Sequence, residues 1–160
     1  MPTVRAGSLV FVAGHDPERD GQLVYRGRVG EAVGVGDTAA ALRLATQNAL
    51  ASARAAAGSL DRFRCVVLAG FVTTATSQAL DPALLEESLV LLETALDSRS
   101  RPAVWLRPAQ GLAGGMSVEV ELLLEARGVP ARGRLSRAGR PGRRGRAAGR
   151  TPRRSGVRTS

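Results

Sequence analysis

The 160-residue sequence contains no lysine, and it has only one histidine, His15, and one cysteine, Cys65. Without lysine, the chain has neither a Schiff-base nucleophile nor the lysine of a phosphate-binding loop. One histidine and one cysteine are too few for a His/Cys zinc site within a single chain, so we predict neither a metal nor a cofactor. A lone cysteine excludes an internal disulfide, and its apolar setting in FRCVVLAG predicts a buried strand thiol. Chemistry must therefore use arginine, carboxylates, hydroxyls and backbone groups.

Aromatic residues and long apolar runs are also scarce. Aromatics make up 3% of the sequence, whereas 44% of the residues are hydrophobic, which is enough for the core of one ordinary domain. The apolar runs are all shorter than the roughly 18 to 20 residues of a membrane span, and the first residues lack the pattern of a signal sequence. We therefore predict a protein without a membrane segment and with a cytoplasmic location.

The net charge of +9 is distributed unevenly along the chain. Residues 1–126 contain 11 arginines and 14 acidic residues, whereas residues 127–160 contain 12 arginines and no acidic residue. The second segment has almost no large apolar side chain, so it cannot bury enough surface to offset the entropy of ordering it. We predict a folded domain over 1–126 and a disordered Arg/Gly/Pro-rich tail over 127–160. Such a tail is either an inert solvated extension or a segment that binds RNA, DNA or an acidic membrane nonspecifically through its charge.

Hydrophobic periodicity predicts two strands, a helix, a strand, a helix and two strands, the order of an α+β fold. Asp37 and the Asp81-Pro82 pair are suited to begin the two helices, and Gly58 to end the first. The predicted strands are 9–13, 22–25, 63–74, 101–106 and 118–122, and the predicted helices are 38–57 and 82–96. Gly34, Gly36 and Ala39 match the spacing of a dinucleotide-binding loop. However, no strong strand leads into them, so we reject that interpretation.

The segment from Arg101 to Glu125 contains the residues with the clearest chemical potential. Val118, Val120 and Leu122 alternate with Glu119 and Glu121, which predicts a strand with the carboxylates on one face. If the strand after Arg101 pairs with this one, the guanidinium and a carboxylate could converge on a small anionic ligand. The alternatives are an exposed salt bridge for Arg101 and, for Glu119, either a solvated face or an interface ion pair.

Five motifs in order make the chain resemble the RidA/YjgF family of small imine-handling proteins. They are GSLVFVAGHDP, GQLVYRGRVG, ATQNALASARAAAGSLDRFRCVV, LAGFVTT, and RPAV followed by VEVELLLEA, and they span about residues 3–126. The resemblance implies a chorismate-mutase-like α+β fold of ββαβαββ order, with two helices on one face of a mixed sheet. It also implies a homotrimer with its sites between subunits, where 2-imino acids are hydrolysed to 2-keto acids and ammonia.

By position, the resemblance implies that Arg101 and Gly14 bind the substrate and that Glu119 is the catalytic acid or base. A guanidinium grips a carboxylate through two parallel hydrogen bonds, and a nearby carboxylate can activate water. The sequence departs from deaminase-active members at Ala13, where they have a hydroxyl residue, and at Ala103, where they have cysteine. These departures leave a second interpretation open, a noncatalytic trimer that binds a small carboxylate or a partner.

Overall fold

The computed structural model describes residues 3–75, 79–96 and 101–128. In these ranges no helix is both long enough and apolar enough to span a bilayer. The strands are β1 (Thr3–Ala6), β2 (Leu9–His15), β3 (Glu18–Arg19), β4 (Gln22–Leu23), β5 (Phe63–Thr73), β6 (Ala103–Ala109) and β7 (Val118–Ala126). The α-helices are α1 (Thr38–Ala57) and α2 (Glu86–Leu96), preceded by 3₁₀ turns at Val35–Asp37 and Pro82–Leu85; a third 3₁₀ turn is Ala113–Gly115. Of the predicted tail, residues 129–160 lie outside the described residues.

The main sheet has five strands in the order β1-β2-β7-β5-β6. It is mixed, because β5 and β6 are parallel while the other neighbours are antiparallel. The parallel pair follows from the intervening α2, since a helical crossover returns the chain in the same direction. The expectation that the strand after Arg101 pairs with the strand of Glu119 is wrong: β5 lies between β6 and β7.

Helix α1 has the predicted bounds and packs on one face of the sheet against β2 and β7. Its inner stripe, Leu42, Ala45, Ala49 and Ala53, is fully buried, because small side chains let a helix approach a sheet closely. Asp37 does not act as the predicted cap: it is the last residue of a 3₁₀ turn, and its side chain makes no capping hydrogen bond. Gly58 ends the helix at φ 81°, and its N–H donates to the carbonyl of Arg54.

Helix α2 begins as the sequence predicts. The carboxylate of Asp81 accepts a hydrogen bond from the N–H of Ala83 at 2.9 Å, and Pro82 occupies the first helical turn. Leu85, Leu92 and Leu96 are buried on the inner face. Both helices lie on the same side of the sheet, since a Cβ on Gly70 would meet Leu42 of α1 and Leu85 of the turn before α2 at 3.4 Å.

From α1 onward the predicted order of elements is confirmed, and the predicted strand at 9–13 lies within β2. The predicted strand at 22–25 is the short β4, which pairs with β3 in a separate two-stranded sheet. Its place in the main sheet is taken by β1, an exposed edge strand whose four residues, TVRA, are too few to predict a strand from periodicity. Cys65 is buried as predicted, and desolvation raises the pKa of its thiol to about 12.

The face of the sheet opposite the helices carries both charged and apolar side chains. In β7, Val118, Val120, Leu122 and Leu124 face the core, so Glu119, Glu121 and Glu125 lie on the other side, as predicted. We call this side the open face. Phe11 of β2 and Trp105 of β6 also lie on it by register, each 42% exposed, and no described element of the chain covers them.

Candidate functional site

Glu119 and Gly14 come together on the open face. The strand β7 presents Glu119 there because Val118 and Val120 on either side are held in the core. Its side chain lies over the backbone of Gly14: a Cβ at that position would be 2.7 Å from Cγ of Glu119 and nearer still to its carboxyl group. Only glycine leaves room for the carboxyl group in this position. The structure thus brings together two of the three residues that the sequence resemblance assigned to the site.

The environment of Glu119 disfavours its charged form. Desolvation by burial is the main cause of a raised pKa, and the negative charges of Glu121 and Asp16 raise it further. The half-buried carboxyl group therefore holds its proton to a higher pH than an ordinary glutamate does. A carboxyl group whose pKa is raised by burial and by neighbouring charges is a candidate for general acid–base catalysis.

A bulge in β2 creates the space beside Glu119. Val12 pairs with Leu122 and His15 with Val120, so Ala13 and Gly14 together oppose one residue of β7. The bulge turns the strand where Gly14 meets the carboxyl group. Bulges of this kind re-aim side chains beside functional sites, and this one brings Asp16 within electrostatic reach of Glu119.

Contacts with α1 hold the bulge in place. Nδ1 of the buried His15 lies 2.6 Å from the carbonyl oxygen of Ala13, and since a carbonyl only accepts, Nδ1 carries a proton. In the uncharged ring, Nε2 then accepts from the hydroxyl of Ser52 at 2.6 Å. The side-chain amide of Asn48 donates to the carbonyls of Asp16 and Glu18, both at 2.9 Å. Sequence reasoning missed this function of His15, because its partner Ser52 is 37 residues away along the chain.

The Ser52–His15 contact has the atoms of a nucleophile and its base, but its setting does not fit catalysis. Ser52 lies inside α1, where the backbone N–H groups are used in helical hydrogen bonds. The helix therefore leaves no backbone N–H groups beside Ser52 to stabilise an oxyanion. Oxyanion stabilisation supplies the larger part of acyl-transfer catalysis. The pair is therefore a link between β2 and α1.

Arg101 lies far from Glu119 within one chain. It precedes β6 by two residues, and Ala103 pairs with Val67, whereas Glu119 pairs with Phe71. At about 3.3 Å per strand residue, the two positions differ by roughly 20 Å along the sheet. Nη2 of Arg101 lies 3.4 Å from Oε2 of Glu86, with side chains 74% and 54% exposed. Within the described residues, Arg101 thus forms the exposed salt bridge that was the alternative interpretation.

Arg107 is an arginine on the open face at the level of Glu119. Both pair with Phe71 of β5, from opposite sides, so they lie two strands apart at about 10 Å between backbones. Leu106 packs toward Gly70 on the helix side, so Arg107 next to it lies on the open face. No local sequence pattern marks Arg107, because its position level with Glu119 depends on β5 lying between the two strands. Within the described ranges, no group of three or more His, Cys, Asp or Glu side chains is arranged to hold a metal ion.

Comparison with known proteins identifies the architecture. Neither family models nor curated protein sequences match the chain. Solved structures do: a protein of unknown function from Agrobacterium tumefaciens is 29% identical, with a TM-score of 0.71 over 79% of this chain and 80% of that one. A "putative endoribonuclease" from Shewanella oneidensis MR-1 is 28% identical, with a TM-score of 0.72 over 78% and 83%.

A third structure carries the family name. RidA from the Antarctic bacterium Psychrobacter sp. PAMC 21119 is 24% identical, with a TM-score of 0.53 over 77% of this chain and 85% of that one. The matched length agrees with the span of the five sequence motifs. The resemblance seen in the sequence is therefore confirmed at the level of the fold: the chain has the architecture of the RidA/YjgF family.

Proposed function

We propose that the protein hydrolyses small 2-imino acids to 2-keto acids and ammonia, at sites between the subunits of a homotrimer. The observation that carries the proposal is the Glu119 carboxyl group, which lies against Gly14 with a raised pKa on a face that the described chain leaves open. The activity is the one implied by the resemblance to the RidA/YjgF family. The fold supports it, because Gly14 and Glu119 lie together on the sheet and not in the helical core.

In this mechanism, ionised Glu119 accepts a proton from a water molecule as the water oxygen attacks the carbon of the C=N bond. The imine nitrogen already carries its proton as the iminium, so this attack gives a neutral tetrahedral carbinolamine. Protonated Glu119 then gives its proton to the amino nitrogen, ammonia leaves, and the hydroxyl proton passes to the departing ammonia as the C–O bond becomes C=O. Because its pKa is raised, ionised Glu119 is a stronger base toward water than an ordinary glutamate. Arg101 binds the substrate carboxylate through its two parallel N–H groups.

The distance between the two residues supports a site shared between subunits. One chain holds Arg101 and Glu119 roughly 20 Å apart along the sheet, so one small substrate cannot touch both. An intersubunit site requires Arg101 of one subunit to approach Glu119 of a neighbouring one. The open face supports such an assembly, because Phe11 and Trp105 expose apolar surface whose burial would stabilise the contact. In the trimer, Arg101 exchanges its exposed Glu86 partner for the substrate.

A second candidate is a noncatalytic trimer that binds a small carboxylate or a partner. It is favoured by the departures at Ala13 and Ala103, where deaminase-active members have a hydroxyl residue and cysteine. The Shewanella protein's description as a "putative endoribonuclease" adds an RNA-binding role, for which this chain offers the 12 arginines of residues 127–160. Such binding would be electrostatic and largely independent of sequence.

The deciding experiment follows pyruvate formation from freshly generated 2-aminoacrylate, which tautomerises to 2-iminopropanoate. Wild-type protein should accelerate pyruvate release above the spontaneous rate, and Arg101→Ala should lose most of that acceleration. Calorimetric binding of a carboxylate analogue of the substrate then distinguishes the enzyme from the noncatalytic binding protein. Binding that depends on Arg101 without any catalysis supports the binding protein, whereas neither binding nor catalysis means that the assigned site is wrong and only the fold stands.

A further inference from the structure

Arg107 is an exposed cation on the open face that the proposed mechanism does not use. Within the described residues, three arginines form ion pairs with carboxylates: Arg43, Arg64 and Arg101. In that same part of the chain, the side chain of Arg107 makes neither an ion pair nor a hydrogen bond. Its fork of N–H groups is therefore available to bind an anion from solution.

Phe71 separates Arg107 from Glu119 on the open face. It pairs with Arg107 on one side and with Glu119 on the other, so the three residues form one row across β6, β5 and β7. The neighbouring Gly70 faces the helices, which places the half-buried ring of Phe71 on the open face. The row thus has a guanidinium at one end, a carboxyl group at the other and an apolar ring between them.

The charges around Glu119 decide how an anionic ligand lies along this row. Asp16 follows β2, which pairs with β7 on the side away from Arg107, and its charge acts on Glu119 together with that of Glu121. A negative group on a ligand is repelled by these carboxylates and attracted toward β6. A ligand that reacts beside Glu119 and carries a carboxylate at its far end is therefore oriented with that end across Phe71.

The width of the row selects the length of such a ligand. In a five-carbon dicarboxylic 2-imino acid, three C–C bonds separate the C=N carbon from the far carboxylate carbon, a span of about 4 Å. Contacts of about 3 Å at the two ends, to the attacking water and to the guanidinium, extend the reach to about 10 Å. The backbones of β6 and β7 are separated by about the same distance.

We propose that Arg107 determines the specificity of the site by binding a second carboxylate, so that five-carbon dicarboxylic 2-imino acids are preferred to monocarboxylic ones. The inference rests on the proposed function for the reaction itself, and it adds the substrate class. Glu119 keeps its role with water, and Arg101 of a neighbouring subunit binds the carboxylate beside the C=N bond. Phe71 contacts the methylene carbons between the two ends of the substrate.

Binding of two five-carbon acids tests the role of Arg107 without any turnover. Glutarate has a carboxylate at both ends, whereas pentanoate has a methyl group at one of them. In calorimetry the wild type should bind glutarate about tenfold more tightly, since a charge-assisted contact contributes about one decade or more. Arg107→Met keeps the apolar stem and should abolish this preference, and Arg107→Lys should retain part of it. Arg64→Met removes another cation from the same face, roughly 20 Å from Phe71 along β5, and should leave the preference unchanged.

Turnover of two imino acids then tests the substrate class. Release of the 2-keto acid is followed from freshly generated 2-iminoglutarate and 2-iminopropanoate, with the spontaneous rate subtracted. The ratio of their kcat/KM values should favour 2-iminoglutarate and should fall by about one to two decades in Arg107→Met, mainly through KM. An equal ratio in both proteins, or a preference for glutarate that survives Arg107→Met, would overturn the inference. Hydrolysis of neither imino acid would refute the proposed function instead, and the comparison of glutarate with pentanoate would still decide what Arg107 binds.

Discussion

Replacing Gly14 with alanine tests the catalytic site, because Gly14 contacts the side chain of Glu119 and even one added methyl group would disturb it. In Gly14→Ala the added Cβ would lie 2.7 Å from Cγ of Glu119 and closer to its carboxyl group. The carboxyl group has to retreat by roughly 1 Å to restore ordinary contact, and a misplacement of that size can cost about 100-fold in rate. Gly14 has no left-handed backbone angle, so alanine is not strained there.

The stability of Gly14→Ala should stay close to that of the wild type. The atoms that must move are the end of a flexible, half-buried side chain, and alanine also restricts the unfolded chain more than glycine does. We expect the unfolding free energy to change by less than about 1 kcal/mol, while kcat for 2-iminopropanoate falls by about two decades. Binding of a carboxylate analogue through Arg101 should be little affected.

The assay combines pyruvate release from 2-aminoacrylate with urea unfolding of the same samples. Gly36→Ala is the matched control, because a Cβ there would meet nothing within 4 Å and its φ is not left-handed. The double variant Gly14→Ala with Glu119→Gln should be no slower than Glu119→Gln alone, since the alanine acts through the displaced carboxyl group. Unchanged turnover in Gly14→Ala, or fully additive losses in the double variant, would refute the reasoning.

Four further expectations follow from the same geometry. Arg101→Lys should weaken carboxylate binding by roughly one to two decades in calorimetry, while Glu119→Gln spares binding and lowers kcat by roughly two to four decades; normal values for both variants would place the site elsewhere. Because its raised pKa means that ionised Glu119 destabilises the folded state, Glu119→Gln should be more stable than the wild type at pH 7 in urea unfolding. That gain should disappear as the pH falls below the ordinary value of 4.5, and a gain independent of pH would contradict it. Phe11→Asp should convert a trimer into monomers in sedimentation, whereas a persistent trimer would show that the open face is not the interface. Deleting residues 129–160 should leave Tm unchanged and remove any RNA binding, which in the full chain should fall steeply with salt; a large loss of stability would show that the segment packs.

Local signals in the sequence predict the helices well, because the physics that sets them is local. The stripe from Leu42 to Ala53 follows the helical period, and Gly58 ends α1 where the pattern stops. The carboxylate of Asp81 fixes the start of the segment that becomes α2 within two residues of itself. Asp37 shows the limit of this reasoning: its residue type suits a helix cap, but a 3₁₀ turn that begins two residues earlier, at Val35, leads directly into α1, and the side chain of Asp37 makes no capping hydrogen bond.

The candidate site could be predicted only in part, because it depends on strand order and not on local pattern. Alternation along β7 is enough to put Glu119 on the open face, and it does not say which strands lie beside it. That β2 and β5 flank β7, that a bulge brings Gly14 under the carboxyl group, and that Arg107 shares the level of Glu119 all follow from pairings between distant segments. Arg101 shows this most clearly. Its type and position suit carboxylate binding, yet only the topology reveals that one chain keeps it away from Glu119, so that catalysis by this pair requires a second subunit.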